Sequence, residues 1–340
     1  MTVAVIDSGV DAGFPDLQGQ VLPGKDLSGL EGDAHTDYDG HGTRMAVFIA
    51  GTGKGNEGSG AFGLAPGTKI LPIRVANNQV PAARALPGTS MTSAIRFAAD
   101  SDAKIINISM GSPSEIPSES EAVKYALSKG KLIFAAVGNT GHKGNQTEFP
   151  AALPGVVGVA AVDRDIKATE ESQKGPQVDL AAPGDDMVVT CPGGTGLCRS
   201  HGTSDATALT SASAALLWSA HPDWTANQVL RVLINTAGGP KSGEKRSDSI
   251  GYGVVRPRIA LQNPGDPGPP DVSPLPELAA AKSPADNAAK TAPPPASKQA
   301  DKADSSLLSK RTLIAVGVIV AAAAVTAAAV FSRRRRMPGN

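Results

Sequence analysis

Four polar residues have the side-chain types and the surroundings that nucleophilic catalysis requires. Asp7 ends the apolar run TVAVID, and His41 stands between two glycines in DGHGT. Asn139 follows the apolar run KLIFAAV, and Ser204 opens a run of small residues that suits a helix. At a helix start, Ser204 could attack a carbonyl with His41 as its base and Asp7 orienting the imidazole. Asn139 would then donate to the oxyanion together with the Ser204 backbone N–H.

Each of these residues also has an ordinary structural explanation. Asp7 could begin an Asx turn, Asn139 could occupy a turn, and a single histidine such as His41 is more often solvated or structural. Considered together, the four residues favour a catalytic site, because acid, base, amide and hydroxyl all fall at loop or helix starts. The chain order Asp, His, Ser is also one of the known orders of a catalytic triad.

Short apolar runs predict a sheet that would gather these residues. Strand-like runs alternate with helical patterns such as SMTSAIRFAAD (90–100) and SESEAVKYALSKG (118–130). Nearly continuous apolar strands between helices indicate an α/β fold with a parallel sheet covered on both faces. Ligands of such sheets bind beyond the carboxyl ends of the strands, where Asp7 and Asn139 fall. The predicted strands are residues 2–7, 69–75, 103–110, 131–137 and 155–162.

The helical pattern 118–130 carries signals for both of its ends. Ser118 and Glu121 have capping-box spacing, and Gly130 is a typical helix stop. We therefore expect Ser118 to cap the start of this helix and Gly130 to follow its end.

Composition limits the class of protein. The chain has 340 residues, of which 41% are hydrophobic and 19% charged, and its formal net charge is zero. This size suits one large α/β domain with appendages, and the lack of a basic excess argues against a nucleic-acid-binding protein. The sequence GDD at 184–186 is as typical of a turn as of a calcium loop, and we predict no metal and no cofactor.

The composition changes after the predicted globular domain, 1–262. Residues 263–311 are rich in Pro, Ala, Asp and Lys, which predicts an extended, semi-rigid linker without a core. Residues 312–332 begin with twenty uncharged residues, a length that matches the bilayer core and favours a transmembrane helix over a buried core helix. A short basic tail, 333–340, follows and begins with four arginines.

Eight sequence blocks resemble, in order, the signature blocks of the subtilisin-like serine proteases, peptidase family S8. They cover nearly all of residues 1–262 and read VIDSGVD, DGHGT, GLAPGTKILPIRV, INISMG, AAVGN, AAPG, GTSDATA and HPDWTANQV. The resemblance implies a three-layer subtilisin-like α/β fold with a central, mostly parallel sheet. It also implies hydrolysis of a polypeptide substrate by the triad assigned above. The substrate backbone would align along Ser109, Met110 and Gly111.

Three positions depart from the usual pattern of that family. Ala208 stands where a proline usually follows the nucleophile by four residues, and Asp205 replaces a hydrophobic or small residue. Arg44 replaces a histidine that often follows the catalytic histidine by three residues. No triad atom is lost, but the charge of Asp205 would alter the local field and disfavour acidic substrates.

The linker, apolar run and basic tail resemble the mycosins, which are membrane-anchored subtilisins associated with actinobacterial type VII secretion. This branch implies a secretion complex as a further partner. Lys310 and Arg311 precede the apolar run and four arginines follow it. The positive-inside rule then predicts a single-pass cell-membrane protein with an extracytoplasmic peptidase domain and a cytoplasmic C-terminus.

The beginning of the sequence leaves two arrangements open. Met1 lies six residues before Asp7, with no signal peptide ahead of it. Either the start lies upstream and this chain lacks its signal peptide, or the protein is tail-anchored with its active site in the cytoplasm. The charge asymmetry favours the first arrangement.

Cys191 and Cys198 are the only cysteines. No second Cys or His pair at zinc spacing accompanies them, which argues against a metal site. Two free thiols would be expected in the cytosol, whereas an extracytoplasmic domain favours a disulfide. We therefore predict that they pair.

Two other functions remain open beside a membrane-anchored serine endopeptidase. A catalytically idle subtilisin fold could be a structural component of a secretion complex. A subtilisin-like esterase or acyltransferase would carry the same residues. The intact set of Asp7, His41, Ser204 and Asn139 argues against the idle fold.

Overall fold

Nine strands, eight α-helices and one short 3₁₀ helix (Pro15–Leu17) are formed by residues 1–76 and 89–281, the part of the chain that the computed structural model describes. The strands are β1 (Thr2–Asp7), β2 (Lys25–Asp26), β3 (Lys69–Arg74), β4 (Ile105–Ile108), β5 (Leu132–Ala136), β6 (Val157–Val162), β7 (Leu180–Pro183), β8 (Met187–Thr190) and β9 (Leu197–Ser200). The helices are α1 (His41–Ala50), α2 (Gly55–Gly58), α3 (Thr89–Asp100), α4 (Pro117–Ser128), α5 (Thr203–Ala220), α6 (Ala226–Thr236), α7 (Pro257–Gln262) and α8 (Pro276–Ala281).

Strands β1 to β7 form one parallel sheet in the order β2-β3-β1-β4-β5-β6-β7. β1 pairs with β3 on one side and with β4 on the other, so the chain order reverses at β1. A crevice opens at the carboxyl ends of the strands where such a reversal occurs. Asp7, the last residue of β1, stands at that point.

Helices cover both faces of the sheet, which is why its strands are apolar on both sides. Met45 of α1 and Leu217 of α5 lie in the core on one face. Ile95 of α3 and Val123 of α4 lie in the core on the other face. The α/β class and the parallel sheet are therefore as predicted.

All five predicted strands form, and most are one or a few residues shorter than predicted. Periodicity did not reveal β2, β7 or the antiparallel hairpin of β8 and β9. β7 has the sequence LAAP, and its alanines and proline give little strand signal although its first three residues are buried. Pairing with β6 gives this segment its strand conformation.

The predicted cap of helix α4 is wrong. The helix begins at Pro117 after Ile116, and no side chain caps it. The fixed φ of proline suits the first helical position, so Ser118 lies inside the first turn. Glu121 instead forms an ion pair with Lys124. Gly130 does follow the end of the helix, with a φ of 73°.

Residues 263–281, assigned above to the linker, pack onto the domain. The segment is rich in proline, and its carbonyl oxygens accept hydrogen bonds from side chains of α6, including those of Arg231 and Gln228. Leu275 is buried in the core next to α6. The compact domain therefore extends beyond residue 262, because polar donors of α6 fix the non-helical part of this segment, and the short helix α8 (Pro276–Ala281) follows it.

The rest of the predicted linker, the predicted transmembrane helix at 312–332 and the tail at 333–340 lie outside the described residues. Within residues 1–76 and 89–281, every helix is too short or too polar to cross a bilayer.

Candidate active site

Asp7 and His41 are joined by a short hydrogen bond at the carboxyl end of β1. His41 Nδ1 lies 2.7 Å from Asp7 Oδ1, and the Asp7 side chain is fully buried. The backbone N–H of Ser8 donates to the same carboxylate oxygen at 2.8 Å, which fixes the carboxylate. An ionised carboxylate only accepts hydrogen bonds, so Nδ1 carries the proton. Nε2 is then the ring nitrogen that can act as a base.

The two glycines that flank His41 have separate structural reasons. Gly40, the residue before α1, has a φ of 77°, a conformation that glycine adopts without strain. A side chain at Gly42 could not fit, because its Cβ would lie 2.1 Å from the carbonyl oxygen of Gly9 and 3.0 Å from Asp7 Cβ. Helix α1 can therefore approach the end of β1 closely enough for the imidazole to reach Asp7.

The start of α1 is held by a polar cluster that sequence reasoning missed. Asp37 accepts hydrogen bonds from the backbone N–H groups of Gly40 and Thr43, both at 2.8 Å. Ser8 Oγ donates to Asp37 at 2.8 Å and accepts from the N–H of Gly42 at 3.0 Å. The signal in the sequence was DYDG, an acidic residue shortly before a helix start.

The surroundings of His41 shift its pKa in opposite directions. Burial lowers the pKa of His41, whereas the charge of Asp7 and the hydrogen bond to it raise that pKa. Arg44 lowers it and Asp39 raises it by smaller amounts. The net result is a His41 pKa above its usual value, which makes the imidazole a stronger base.

Ser204 is the second residue of α5 and is almost fully buried. Its hydroxyl donates to the carbonyl oxygen of Ser109 at 3.0 Å. Ser109 Oγ donates in return to the carbonyl oxygen of Ser204 at 3.2 Å. Within the described part of the chain, the Ser204 hydroxyl therefore bonds to the end of β4 and not to His41.

The buried side-chain amide of Asn107 connects the Ser109–Ser204 pair to the sheet. Asn107, inside β4, donates from Nδ2 to Ser109 Oγ at 3.0 Å and accepts at Oδ1 from Ser211 Oγ at 2.9 Å. Asn107 and Ser211 are fully buried, and Ser211 lies two turns beyond Ser204 on α5. Asn107 was not among the predicted site residues. Its position as a single polar residue inside the apolar run IINI is the sequence feature from which Asn107 could have been predicted.

Asn139 lies directly beyond β5 and faces the start of α5. Its Oδ1 accepts from Thr203 N at 2.9 Å and from Thr203 Oγ1 at 3.0 Å. A Cβ built on Gly202 would lie 3.2 Å from Asn139 Nδ2, so this NH₂ group is next to the backbone that precedes Ser204. Because Asn139 Oδ1 already accepts two hydrogen bonds, Asn139 Nδ2 can donate to a ligand above the N-terminus of α5.

The predicted substrate strand begins where β4 ends. Ser109 is buried by its contacts with Ser204, Met110 is partly buried, and Gly111 is exposed. Ser112 pairs with Phe149 through two backbone hydrogen bonds of 2.8 and 2.9 Å. Of residues 109–111, Met110 and Gly111 are therefore accessible, whereas Ser109 is covered by its contacts with Ser204.

Asp205 lies directly behind Ser204 and is 1% exposed. Burial raises the pKa of Asp205. A hydrogen bond with Ser200 and the nearby charges of Arg44, His41 and His201 lower that pKa only in part. Two of the three departures from the family pattern, Asp205 and Arg44, thus influence each other electrostatically beside the candidate triad. The third, Ala208, is fully buried in the core.

Cys191 and Cys198 form a disulfide that closes the β8–β9 hairpin, with a Cα–Cα distance of 5.0 Å. A loop of this length contributes about 2–3 kcal/mol by the loop-entropy account. The hairpin faces the first turns of α1 across a cleft that Thr43, Arg44 and Arg199 line. It thus forms one wall of a cleft at the start of α1.

Comparison with known proteins shows extended similarity. A family model described as the subtilase family, peptidase S8, matches residues 1–253. The intracellular serine protease of Paenibacillus polymyxa is 36% identical over 225 residues, which are 63% of this chain and 65% of that protein. The major intracellular serine protease of Bacillus subtilis is 34% identical over 196 residues, 56% of this chain and 60% of that protein. The chain thus spans less than two thirds of the length of these relatives.

Solved structures of two proteases share the fold of this chain. MycP1 from Mycobacterium smegmatis superposes with a TM-score of 0.67 at 28% identity, over 79% of this chain and 81% of that chain. The MycP3 protease from the type VII (ESX-3) secretion system superposes with a TM-score of 0.64 at 32% identity, over 77% of this chain and 82% of that chain.

Proposed function

Because the chain belongs to the subtilase family, we propose that it is a serine endopeptidase that hydrolyses peptide bonds in polypeptide substrates. The observation that carries the proposal is the 2.7 Å hydrogen bond between His41 and buried Asp7 at the reversal point of the sheet. Ser204 lies at the start of α5 and is bonded to Ser109, which follows β4, the strand next to β1. Asn139 lies over the same helix terminus.

The first half of the reaction forms an acyl-enzyme. The Ser204 hydroxyl rotates from the Ser109 carbonyl towards His41 Nε2 and attacks the substrate carbonyl carbon as its proton passes to Nε2. The buried carboxylate of Asp7 stabilises the imidazolium that results. Asn139 Nδ2 and the unpaired backbone N–H of Ser204 donate to the oxyanion. The tetrahedral adduct then expels the amine, which takes its proton from His41.

The second half releases the acyl group. Water attacks the Ser204 ester while His41 Nε2 accepts a proton from it. Collapse of the second tetrahedral adduct returns that proton to Ser204 Oγ and frees the carboxylic acid product. The same two donors stabilise both oxyanions, so one site serves both steps.

We infer further that the protein is a mycosin-type peptidase anchored in the cell membrane and associated with a secretion complex. The similarity to MycP1 and to MycP3 of a type VII secretion system supports this inference. The uncharged run at 312–331 and the arginines after it support a single membrane span with an extracytoplasmic peptidase domain. The coupling of His41 to Asp7 supports catalysis over the idle-fold alternative.

Hydrolysis of an internally quenched peptide library by the full chain in detergent tests the activity. Ser204→Ala should abolish cleavage, whereas Ser213→Ala should leave it unchanged. Ser213 is a matched control, because it is also buried on α5 and its hydroxyl only donates back to the carbonyl of Leu209. Cleavage by the Ser204→Ala variant at the wild-type rate would overturn the proposal.

Protease digestion of intact protoplasts tests the location. An extracytoplasmic domain should be degraded before lysis, while an epitope added after Asn340 should be protected. A globular domain that resists digestion until lysis would contradict the proposed orientation.

A further inference from the structure

Glu148 lies close to two backbone segments of the candidate site. Phe149, the next residue, pairs with Ser112, and this pairing holds Glu148 beside the predicted substrate strand. A Cβ built on Gly111 would lie 3.0 Å from Glu148 Oε2, and one built on Gly138 would lie 2.7 Å from Glu148 Cδ. The carboxylate therefore closes the gap between the ends of β4 and β5. Both flanking residues are glycines, whose missing side chains make room for it.

One oxygen of this carboxylate is fixed by a buried amide. Gln173 is fully buried, and its Nε2 donates to Glu148 Oε1 at 2.8 Å and to Thr140 Oγ1 at 2.8 Å. The other oxygen, Oε2, lies on the Gly111 side and accepts no hydrogen bond from the residues that the structure describes. The carboxylate thus has a fixed orientation and an unused acceptor directed at the substrate strand.

No cation of the described part of the chain forms an ion pair with Glu148. The side chain is only partly buried, so a ligand can reach it. A carboxylate held in a recess without a counter-ion attracts a cationic group, and the interaction strengthens as the recess is closed to water.

The proposed reaction places one particular substrate side chain at this recess. The substrate backbone would run along residues 109–111, with its reacting carbonyl at Ser204 and the oxyanion at Asn139. Gly138 directly precedes Asn139, so the side chain on the acyl side of the cleaved bond would enter the gap between Gly111 and Gly138. Glu148 stands in that gap.

We propose that Glu148 is a specificity-determining residue that selects lysine or arginine at the substrate position on the acyl side of the cleaved bond. This inference rests on the serine endopeptidase function proposed above. An ammonium or guanidinium group would bind Glu148 Oε2 while Gln173 holds Oε1. An acidic residue at the same substrate position would be repelled.

Burial raises the pKa of Glu148, and the hydrogen bond from Gln173 opposes this only in part. The preference for a lysine or arginine substrate should therefore weaken as the pH falls and the Glu148 carboxyl becomes protonated. Asp205 is buried in the first turn of α5, whereas Glu148 is partly buried between the ends of β4 and β5. A change in pH alters selection through Glu148 without any mutation, so the wild-type chain provides a test that does not depend on a variant folding.

The experiment measures kcat/KM of the full chain for peptides that differ only on the acyl side of the cleaved bond: lysine, methionine or glutamate. The wild type should prefer lysine to methionine by about tenfold or more at pH 8 and should cleave the glutamate peptide least. Glu148→Gln should bring the lysine and methionine values within about twofold. Glu148→Lys should favour the glutamate peptide. Glu121→Gln is the matched control and should keep the wild-type order, because Glu121 is exposed on α4 and pairs only with Lys124.

Labelling with a small uncharged fluorophosphonate separates this inference from the proposed function. The assignment would be supported by three results together. Ser204 is labelled, the wild type prefers lysine, and this preference is lost in Glu148→Gln or at acid pH. Labelling and cleavage without a basic preference in the wild type would overturn it and leave the peptidase function intact. A wild-type chain that neither labels nor cleaves would overturn both.

Discussion

The hydroxyl of Ser204 donates to the carbonyl oxygen of Ser109 at 3.0 Å, and the hydroxyl of Ser109 donates to the carbonyl oxygen of Ser204 at 3.2 Å. This reciprocal pair fastens the start of α5 to the end of β4. It also determines the resting state of the proposed nucleophile, since Ser204 must leave a good acceptor before it can reach His41. Hydrogen bonds of catalytic groups often align only when substrate binds.

Ser109→Ala should reduce both stability and turnover. The substitution removes the hydroxyl that joins Asn107 Nδ2 to the Ser204 carbonyl and leaves that buried amide without an acceptor. We expect a loss of about 1–3 kcal/mol in the free energy of unfolding. We also expect a several-fold lower kcat with little change in KM, because Ser204 is held less firmly. Ser112→Ala, in the same segment but outside this network, is the control. Equal effects of the two substitutions on kcat would contradict the positioning role of Ser109.

The acid side of the pH profile of kcat/KM should report His41. Its pKa lies above the usual 6.5, so activity should fall with decreasing pH around a midpoint higher than that value. Asp7→Asn removes the charge and can hold the wrong tautomer, so kcat should fall by about 10⁴-fold and the midpoint should move to lower pH. Asp223→Asn, at an exposed aspartate beyond α5, should change neither. An unchanged midpoint in Asp7→Asn would exclude Asp7 as the partner of the base.

Asn139→Ala should lower kcat by about 10² to 10³-fold and leave KM nearly unchanged, because an oxyanion donor acts only in the transition state. Thr203→Val should have a smaller effect. It removes the hydroxyl that donates to Asn139 Oδ1 but keeps the backbone N–H that donates to the same oxygen. Steady-state kinetics of both variants provides the check. A rise in KM without a fall in kcat would remove Asn139 from the oxyanion site.

Asp205→Asn should make the protein both more active and more stable at neutral to basic pH. Asp205 lies in the first turn of α5, the helix whose N-terminus would hold the oxyanion, so removal of its negative charge should raise kcat. Burial raises the pKa of Asp205, so the native state of the wild type binds this proton more tightly than the unfolded state does. Wild-type stability must then fall as the pH rises from the usual pKa of aspartate through the raised value.

The stability gain of Asp205→Asn should therefore be absent at strongly acid pH and grow as the pH rises. Denaturant unfolding at several pH values, with Asp223→Asn for comparison, measures it. A variant that is less stable than the wild type at pH 8, or that has a lower kcat, would show that Asp205 is instead a favourable partner of Arg44.

The main parts of the site could be predicted because each has a local signal. An apolar run followed by Asp7 or Asn139 indicates the end of a buried strand, and parallel strands bring such ends to one edge of the sheet. Glycines around His41 indicate a close approach of two backbones, which Gly42 and Asp7 show directly.

The remaining parts depend on contacts between distant segments, which no local pattern encodes. Asp37 caps α1 only because the loop after β2 returns to it. Ser204 bonds to Ser109 across 95 positions of sequence. Glu148 looks like an ordinary loop residue until Phe149 pairs with Ser112 and brings it beside Gly111.

The location of a fluorophosphonate adduct on the full chain shows which serine, if any, is an activated nucleophile. The probe phosphonylates a serine that a neighbouring base activates, with release of fluoride, and mass spectrometry of a digest identifies the modified residue. We expect one adduct, on the peptide that contains Ser204, with none in Ser204→Ala and very slow formation in His41→Ala. A wild-type chain that stays unmodified, or that carries its adduct on another serine, would contradict this expectation.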